Sequence, residues 1–173
     1  MVRMDFMVRL EQLLESWKTV RADAAQAVMD MPDGEMDFRP VADLMSFGEI
    51  ARHILHAGHA LAGMMLDGEE NLSGPGAREK MAAYAPALPS EPSPTDLAEA
   101  MNRVVEADCA ALAARPAGFF SGMVTRFDGQ QVTRLELLVF TKEHELTHRS
   151  QLFTYLRLKG VTPPTTRRKL MKK

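Results

Sequence analysis

Four long segments with a helical spacing of apolar residues limit the folds open to this chain more than any other feature. In the first, apolar residues recur at three- and four-residue steps from Phe6 to Met31, and the segment stops at Pro32-Asp33-Gly34. This spacing places apolar side chains on one face of a helix, and no run shows convincing strand alternation. The sequence therefore predicts an all-α fold, a four-helix bundle with long crossover connections.

Residues at the segment ends mark where the helices begin. The second and fourth segments open with the capping boxes Ser46-Phe47-Gly48-Glu49 and Thr133-Arg134-Leu135-Glu136, and the third opens with Ser93-Pro94. In a capping box two side chains bond the free N–H groups of the first helical turn. We expect the connection 71–92 to hold a short helical turn around 78–84, and the link 117–132 to make a hairpin-like excursion.

Length and charge predict one domain with no nucleic-acid partner. We assign residues 1–162 to the helical domain and 163–173 to a basic C-terminal tail, expected to be solvated rather than a phosphate-binding arm. The net charge of -2 does not indicate nucleic-acid binding. The single cysteine, Cys109, cannot form an intramolecular disulfide, and neither a signal-peptide pattern nor a membrane-length apolar run occurs. The expected location is the cytoplasm, without membrane insertion.

All five histidines lie on two predicted helices, His53, His56 and His59 on the second and His144 and His148 on the fourth. His144 and His148 are four residues apart, so their imidazoles stand one turn above the other and can reach one ion. Advancing by about 100° per residue around the second helix places only His53 at the edge of the apolar face. We predict that His53, His144 and His148 bind a metal ion, and that His56 and His59 lie at the surface or rim.

The segment His144-Glu145-Leu146-Thr147-His148 also matches the zinc-protease pattern H-E-x-x-H. Such a protease takes its third ligand downstream, but residues 149–173 contain no His, Asp or Glu. The third ligand is therefore expected upstream, on a facing helix of the bundle. Glu145 is a candidate general base or outer acceptor for the ligands, and a solvated helix charge is the alternative.

These motifs resemble the DinB/YfiT superfamily. Residues 46–54 are similar to its second-helix motif, and H-E-L-T-H-R-S-Q-L at 144–152 followed by Y-L-R-L-K-G at 155–160 is similar to its fourth-helix pattern. By matching position, the family's ligands fall on His53, His144 and His148. The resemblance implies a four-helix bundle, frequently a homodimer, with a zinc- or nickel-type divalent ion. It also implies activities that include transfer of low-molecular-weight thiols such as bacillithiol, mycothiol or glutathione.

Three histidine ligands leave a coordination position open, as in catalytic sites. The functional hypothesis is a divalent-metal-binding protein that transfers a low-molecular-weight thiol to an electrophilic small molecule. Two alternatives stay open. One is a metal-dependent hydrolase assisted by Glu145, and the other is a non-catalytic, stress-related dimeric bundle that the metal stabilises.

Overall fold

The described part of the chain is residues 8–172 of a computed structural model, so the predicted core residue Phe6 and the terminal Lys173 lie outside it. The helices there are α1 (Leu10–Asp30), α2 (Phe47–Leu66), α3 (Ala77–Ala83), α4 (Pro94–Ala113), α5 (Arg134–Leu158) and α6 (Pro164–Leu170). A 3₁₀ helix covers Ala117–Ser121. Strands β1 (Met123–Thr125) and β2 (Gln131–Thr133) pair antiparallel, with Val124 opposite Val132.

Three of the four long helices begin where the capping signals predict. Ser46 caps α2 and Thr133 caps α5 through reciprocal bonds with Glu49 and Glu136, and Ser93 caps α4 in the same way. The helical turn predicted around 78–84 corresponds to α3, and the hairpin-like excursion corresponds to β1 and β2. Local side-chain chemistry therefore sets where these three helices begin.

The four long helices form the bundle that the sequence predicts. Helices α1 and α2 each pack mainly against α4 and α5, so α1 and α2 lie diagonally across the bundle. Because α1 and α2 follow each other in the chain but lie diagonally, the chain must cross the end of the bundle between them. Residues 31–46 form this long connection. Among the described residues, no helix is long and apolar enough to cross a membrane.

The core of the bundle consists of two apolar halves with a charged layer between them. One half contains Val28, Ile54 and Met101, and the other contains Trp17 and Leu61. Between them along the chain lie Arg21 on α1, Gly58 on α2 and Glu145 on α5, and the side chains of Arg21 and Glu145 are completely buried. On α5, this charged layer lies at the same height in the bundle as His144 and His148.

The C-terminal segment differs from the solvated tail predicted for 163–173. Residues Pro164–Leu170 form α6, which packs against α1. Arg167 contacts Asp30 at 2.8 Å, and Arg168 contacts Asp23 at 2.7 Å. The two aspartates lie far away in sequence, so the basic run alone did not reveal that it has fixed partners.

Candidate metal centre

Three histidines from two helices converge on one point between α2 and α5. His53 lies in the second turn of α2, and His144 and His148 lie one turn apart on the facing side of α5. Their nearest ring nitrogens all lie within 4.8 Å of one another. The structure thus brings together the three residues singled out as ligands in the sequence.

The Nε2 atoms face each other at very short range. His53 Nε2 lies 3.1 Å from His144 Nε2, and His148 Nε2 lies 3.2 Å from the same atom. A tetrahedral ion with imidazole ligands at about 2.0–2.1 Å requires nitrogen atoms roughly 3.3 Å apart. The donor set and its spacing therefore fit one divalent ion.

The environment keeps two of these imidazoles neutral. Burial, followed by the neighbouring His148 and His53, lowers the pKa of His144 from 6.5 to about 4. Burial also lowers the pKa of His53, and the nearby His148 and His56 add to this effect. Metal ions bind the neutral form of imidazole, so the site is prepared for a cation at neutral pH.

Residues around the ligands orient their rings. The Nδ1–H of His148 donates a 2.7 Å hydrogen bond to Oε1 of Gln151, which leaves the Nε2 lone pair directed at the cluster. The Phe140 ring stacks near His144 with centroids 6.3 Å apart, and the Arg126 guanidinium lies 4.9 Å from the Phe140 centroid. Gln151 is the ligand-orienting residue that the sequence analysis did not identify.

Glu145 occupies a different environment from the one expected. Both of its carboxylate oxygens bond the Arg21 guanidinium, and neither side chain is exposed to solvent. A carboxylate with both oxygens engaged by a buried arginine is poorly placed to take a proton from a water molecule. It is not a solvated charge either, so we assign Glu145 to the bundle core.

Arg21 is the partner that the sequence analysis missed. It lies four residues after Trp17 and seven before Val28, in the middle of the apolar stripe of α1. A charged residue in such a stripe needs a buried partner of opposite charge. The signal was therefore present, although the sequence does not show which acid faces it.

The two remaining histidines do not join the cluster. His56 is an exposed residue of α2. Nδ1 of His59 lies 2.9 Å from Oδ1 of Asp108, whose carboxylate is buried against α2. The predicted surface or rim placement therefore describes His56 well, whereas His59 is half-buried in a polar pair with α4.

Comparison with known proteins agrees with this architecture. The model of the DinB family matches residues 4–172. No curated protein matches the sequence. A DinB-like protein of Bacillus subtilis, YjoA, is 22% identical with a TM-score of 0.67, and the match covers 87% of this chain and 93% of that one.

Two further solved structures share the fold. YfiT of Bacillus subtilis, named as a probable metal-dependent hydrolase with an unusual four-helix bundle topology, matches with a TM-score of 0.61 and 15% identity over 94% of both chains. A mycothiol-dependent maleylpyruvate isomerase matches with a TM-score of 0.62 and 16% identity. That match covers 84% of this chain and 61% of the isomerase. At such identities these likenesses show the fold.

Proposed function

The chain belongs to the DinB family, and on that premise we propose that it binds one divalent metal ion through His53, His144 and His148 and transfers a low-molecular-weight thiol to an electrophilic small molecule. The observation that carries the metal site is the convergence of three Nε2 atoms at 3.1 and 3.2 Å. Zinc or nickel is the proposed ion, since imidazole suits both.

The roles of the residues follow from their positions. His53, His144 and His148 hold the ion, and Gln151 keeps the proton on Nδ1 of His148. The buried Arg21–Glu145 pair fixes α5 against α1 behind the ligands. When bound, a divalent ion would favour the deprotonated form of a thiol and so supply a nucleophile near neutral pH. The sulfur bonds to the electrophilic carbon, the leaving group departs with its electron pair, and the thiol proton passes to solvent.

Two neighbours support different parts of this proposal. The isomerase depends on mycothiol, which supports thiol chemistry on this fold, and YfiT supports a metal-dependent reaction. Metal-dependent hydrolysis remains the second candidate because of YfiT. Glu145, which that candidate needed as its base, is bonded to Arg21, and no other carboxylate in residues 8–172 joins the histidine cluster.

Elemental analysis of the purified protein tests the metal site. We expect about one metal ion per chain in the native protein and its loss in His53→Ala and His148→Ala, since three ligands are needed for tight binding. His56→Ala is the matched control because it removes an exposed histidine one turn from His53. Absence of metal after reconstitution with zinc and with nickel would reject the site.

Turnover tests the chemistry. The metal-loaded protein is assayed with an aromatic chloride as electrophile, with and without 2-mercaptoethanol, cysteine or glutathione. Thiol-dependent release of chloride that is lost in His148→Ala supports transfer. Ester hydrolysis without thiol favours the hydrolase. A melting temperature that falls on chelation, without any turnover, favours the non-catalytic bundle.

The homodimer that we also propose is tested by measuring the mass of the protein in solution by light scattering.

A further inference from the structure

The segment between α2 and β1 forms an arch whose two ends are fixed. At one end, the Leu72 N–H donates to the Thr125 carbonyl at 2.7 Å, and the Thr125 N–H donates to the Glu70 carbonyl at 2.7 Å. At the other end, the Tyr84 hydroxyl donates to Asp67 at 2.5 Å. The arch, residues 71–84, includes α3 and is therefore anchored both to the hairpin and to the C-terminal end of α2.

Close packing also fixes the position of α3. The Tyr84 ring lies so near the α-carbon of Gly63 that a Cβ at this position would overlap it. Lys80 of α3 contacts the Glu69 carboxylate at 2.7 Å. Because both ends and one face of the arch are attached, the space beneath it is preformed rather than created by binding.

Two cavities border the arch. The first, about 180 Å³, is lined by His53 and His56 and by Ala57 and Ala60 of α2. The second, about 500 Å³, is lined by residues of the arch and by Phe127. Met81 of α3 lines both cavities. Met81 therefore stands between the cavity beside His53 and the larger one.

The two cavities differ in chemistry. The walls of the small cavity beside the histidines are mainly alanine and Met81, so it accepts a narrow aliphatic group. The large cavity is lined by Ser73, Arg78, Glu79 and Phe127, together with the backbone of the glycine-rich stretch 74–76. Arg78 matches a carboxylate and Glu79 matches an ammonium group, while the serine and backbone offer hydrogen bonds.

We propose that this arch is the binding site for the body of the thiol substrate, and that Met81 determines how long that body can be. The inference rests on the proposed function. The sulfur and its aliphatic carbon lie beside His53, and a polar body with both a carboxylate and an ammonium group lies beyond Met81. The substrate class is therefore a peptide-like thiol longer than cysteine. Methionine suits such a junction because its unbranched side chain adapts to what it packs against.

Thiols of increasing length test this site in the zinc-loaded protein. Calorimetry measures the affinity for 2-mercaptoethanol, cysteine, γ-glutamylcysteine and glutathione. We expect glutathione to bind at least tenfold more tightly than 2-mercaptoethanol. Met81→Trp fills the junction and is expected to remove this preference. Met29→Trp, at an exposed methionine on α1, is the matched control and is expected to keep the preference.

Equal affinities for the whole series, or an unchanged preference in Met81→Trp, would overturn the arch as a binding site. Circular dichroism verifies that each variant is helical. Arg78→Ala is a second variant at an exposed position, so its folding does not depend on the junction. It is expected to weaken glutathione binding at least threefold and to leave 2-mercaptoethanol unchanged. Loss of affinity for all thiols alike in both variants would also count against the site.

S-methylglutathione tests binding at the arch independently of the thiol reaction because it has no ionisable sulfur. We expect it to bind the metal-free native protein and to bind Met81→Trp at least tenfold less tightly. Such binding, without thiol-dependent turnover, would establish the arch and reject the transferase. Turnover with glutathione that Met81→Trp leaves intact, together with no binding of S-methylglutathione, would support the transferase and reject the arch.

Discussion

Arg21 on α1 and Glu145 on α5 form a completely buried ion pair across 124 positions of sequence, with Nε of Arg21 2.8 Å from Oε2 of Glu145. Arg21 also donates to the carbonyls of Ile54 and Met101 at 3.3 and 3.4 Å. One side chain thus contacts three other helices of the bundle. Because Glu145 directly follows His144, the pair also fixes the rotation of α5 where the histidines converge.

Breaking this pair is expected to destabilise the bundle strongly. Arg21→Met or Glu145→Leu leaves the other charge buried without its partner, which costs about 3–5 kcal/mol. The double variant removes both charges, so we expect it to lose less free energy of unfolding than the sum of the single variants. Urea unfolding of the metal-free protein measures all three. Additive losses would show that the two residues do not act as a pair.

An exposed ion pair provides the control for this measurement. Lys18 contacts Glu106 at 2.9 Å on the surface between α1 and α4. Exposed pairs contribute little because water screens them and the long side chains lose freedom. Glu106→Ala is therefore expected to leave the urea midpoint nearly unchanged. A large shift in this variant would mean that unfolding responds to any charge removed, rather than to the buried pair.

Gly58 of α2 is predicted to be intolerant of alanine. A Cβ at this position would overlap Oε1 of Glu145 and the guanidinium of Arg21. Alanine normally favours a helix over glycine by about 1 kcal/mol, but the overlap is expected to cost about 1–3 kcal/mol. The net result is a lower free energy of unfolding for Gly58→Ala. Gly118→Ala is the control, since a Cβ there meets no atom within 4 Å. A stabilised Gly58→Ala protein would contradict the close packing.

The four long helices, and the residues at which three of them begin, could be predicted because their signals are local. Ser46, Ser93 and Thr133 each bond backbone groups within three residues, so the sequence contains both partners of every cap. The candidate metal ligands could also be predicted from the sequence. The spacing of His144 and His148 fixes their common face, and the apolar stripe of α2 orients His53 toward them.

The contacts that join distant segments could not be predicted. Nothing near Arg21 in sequence identifies Glu145, and nothing in the basic run indicates that Arg168 contacts Asp23 of α1. These pairings depend on which helices are neighbours and on how each is rotated. Helical periodicity identifies the apolar face of each helix separately, so it does not show which helices pack against each other. The same limit explains why the arch was expected only as a short helical turn.

Gln151 is predicted to tune the affinity for metal. Its Oε1 accepts the 2.7 Å hydrogen bond from Nδ1 of His148, and losing such a partner typically costs about 10–100-fold in metal affinity. We therefore expect Gln151→Leu to remain helical and to bind zinc more weakly by that factor. Competition with a coloured chelator measures the affinity. The control is Ser150→Ala, because the Ser150 hydroxyl donates to the Leu146 carbonyl of its own helix. Equal affinities in native protein and Gln151→Leu would contradict the orienting role.

Acidification is expected to destabilise the metal-free protein through the histidine cluster. The pKa of His144 is lowered from 6.5 to about 4, mainly by burial, and burial lowers the pKa of His53 as well. The unfolded chain therefore binds protons that the folded chain does not, so stability falls as the pH decreases. The contribution of His144 is complete above pH 6.5 and is lost as the pH falls through about 4.

The variant His144→Gln separates this effect from the titration of carboxylates, which both proteins share. Glutamine cannot take up a proton, so the melting temperature of the chelator-treated variant is expected to fall less between pH 7 and pH 4.5 than that of the native protein. Thermal unfolding followed by circular dichroism gives both curves. Because protons compete with a cation for the same nitrogen atoms, zinc is expected to stabilise the native protein at pH 7 and to lose that effect near pH 5. Parallel curves for the two metal-free proteins would show that His144 titrates normally in the folded state.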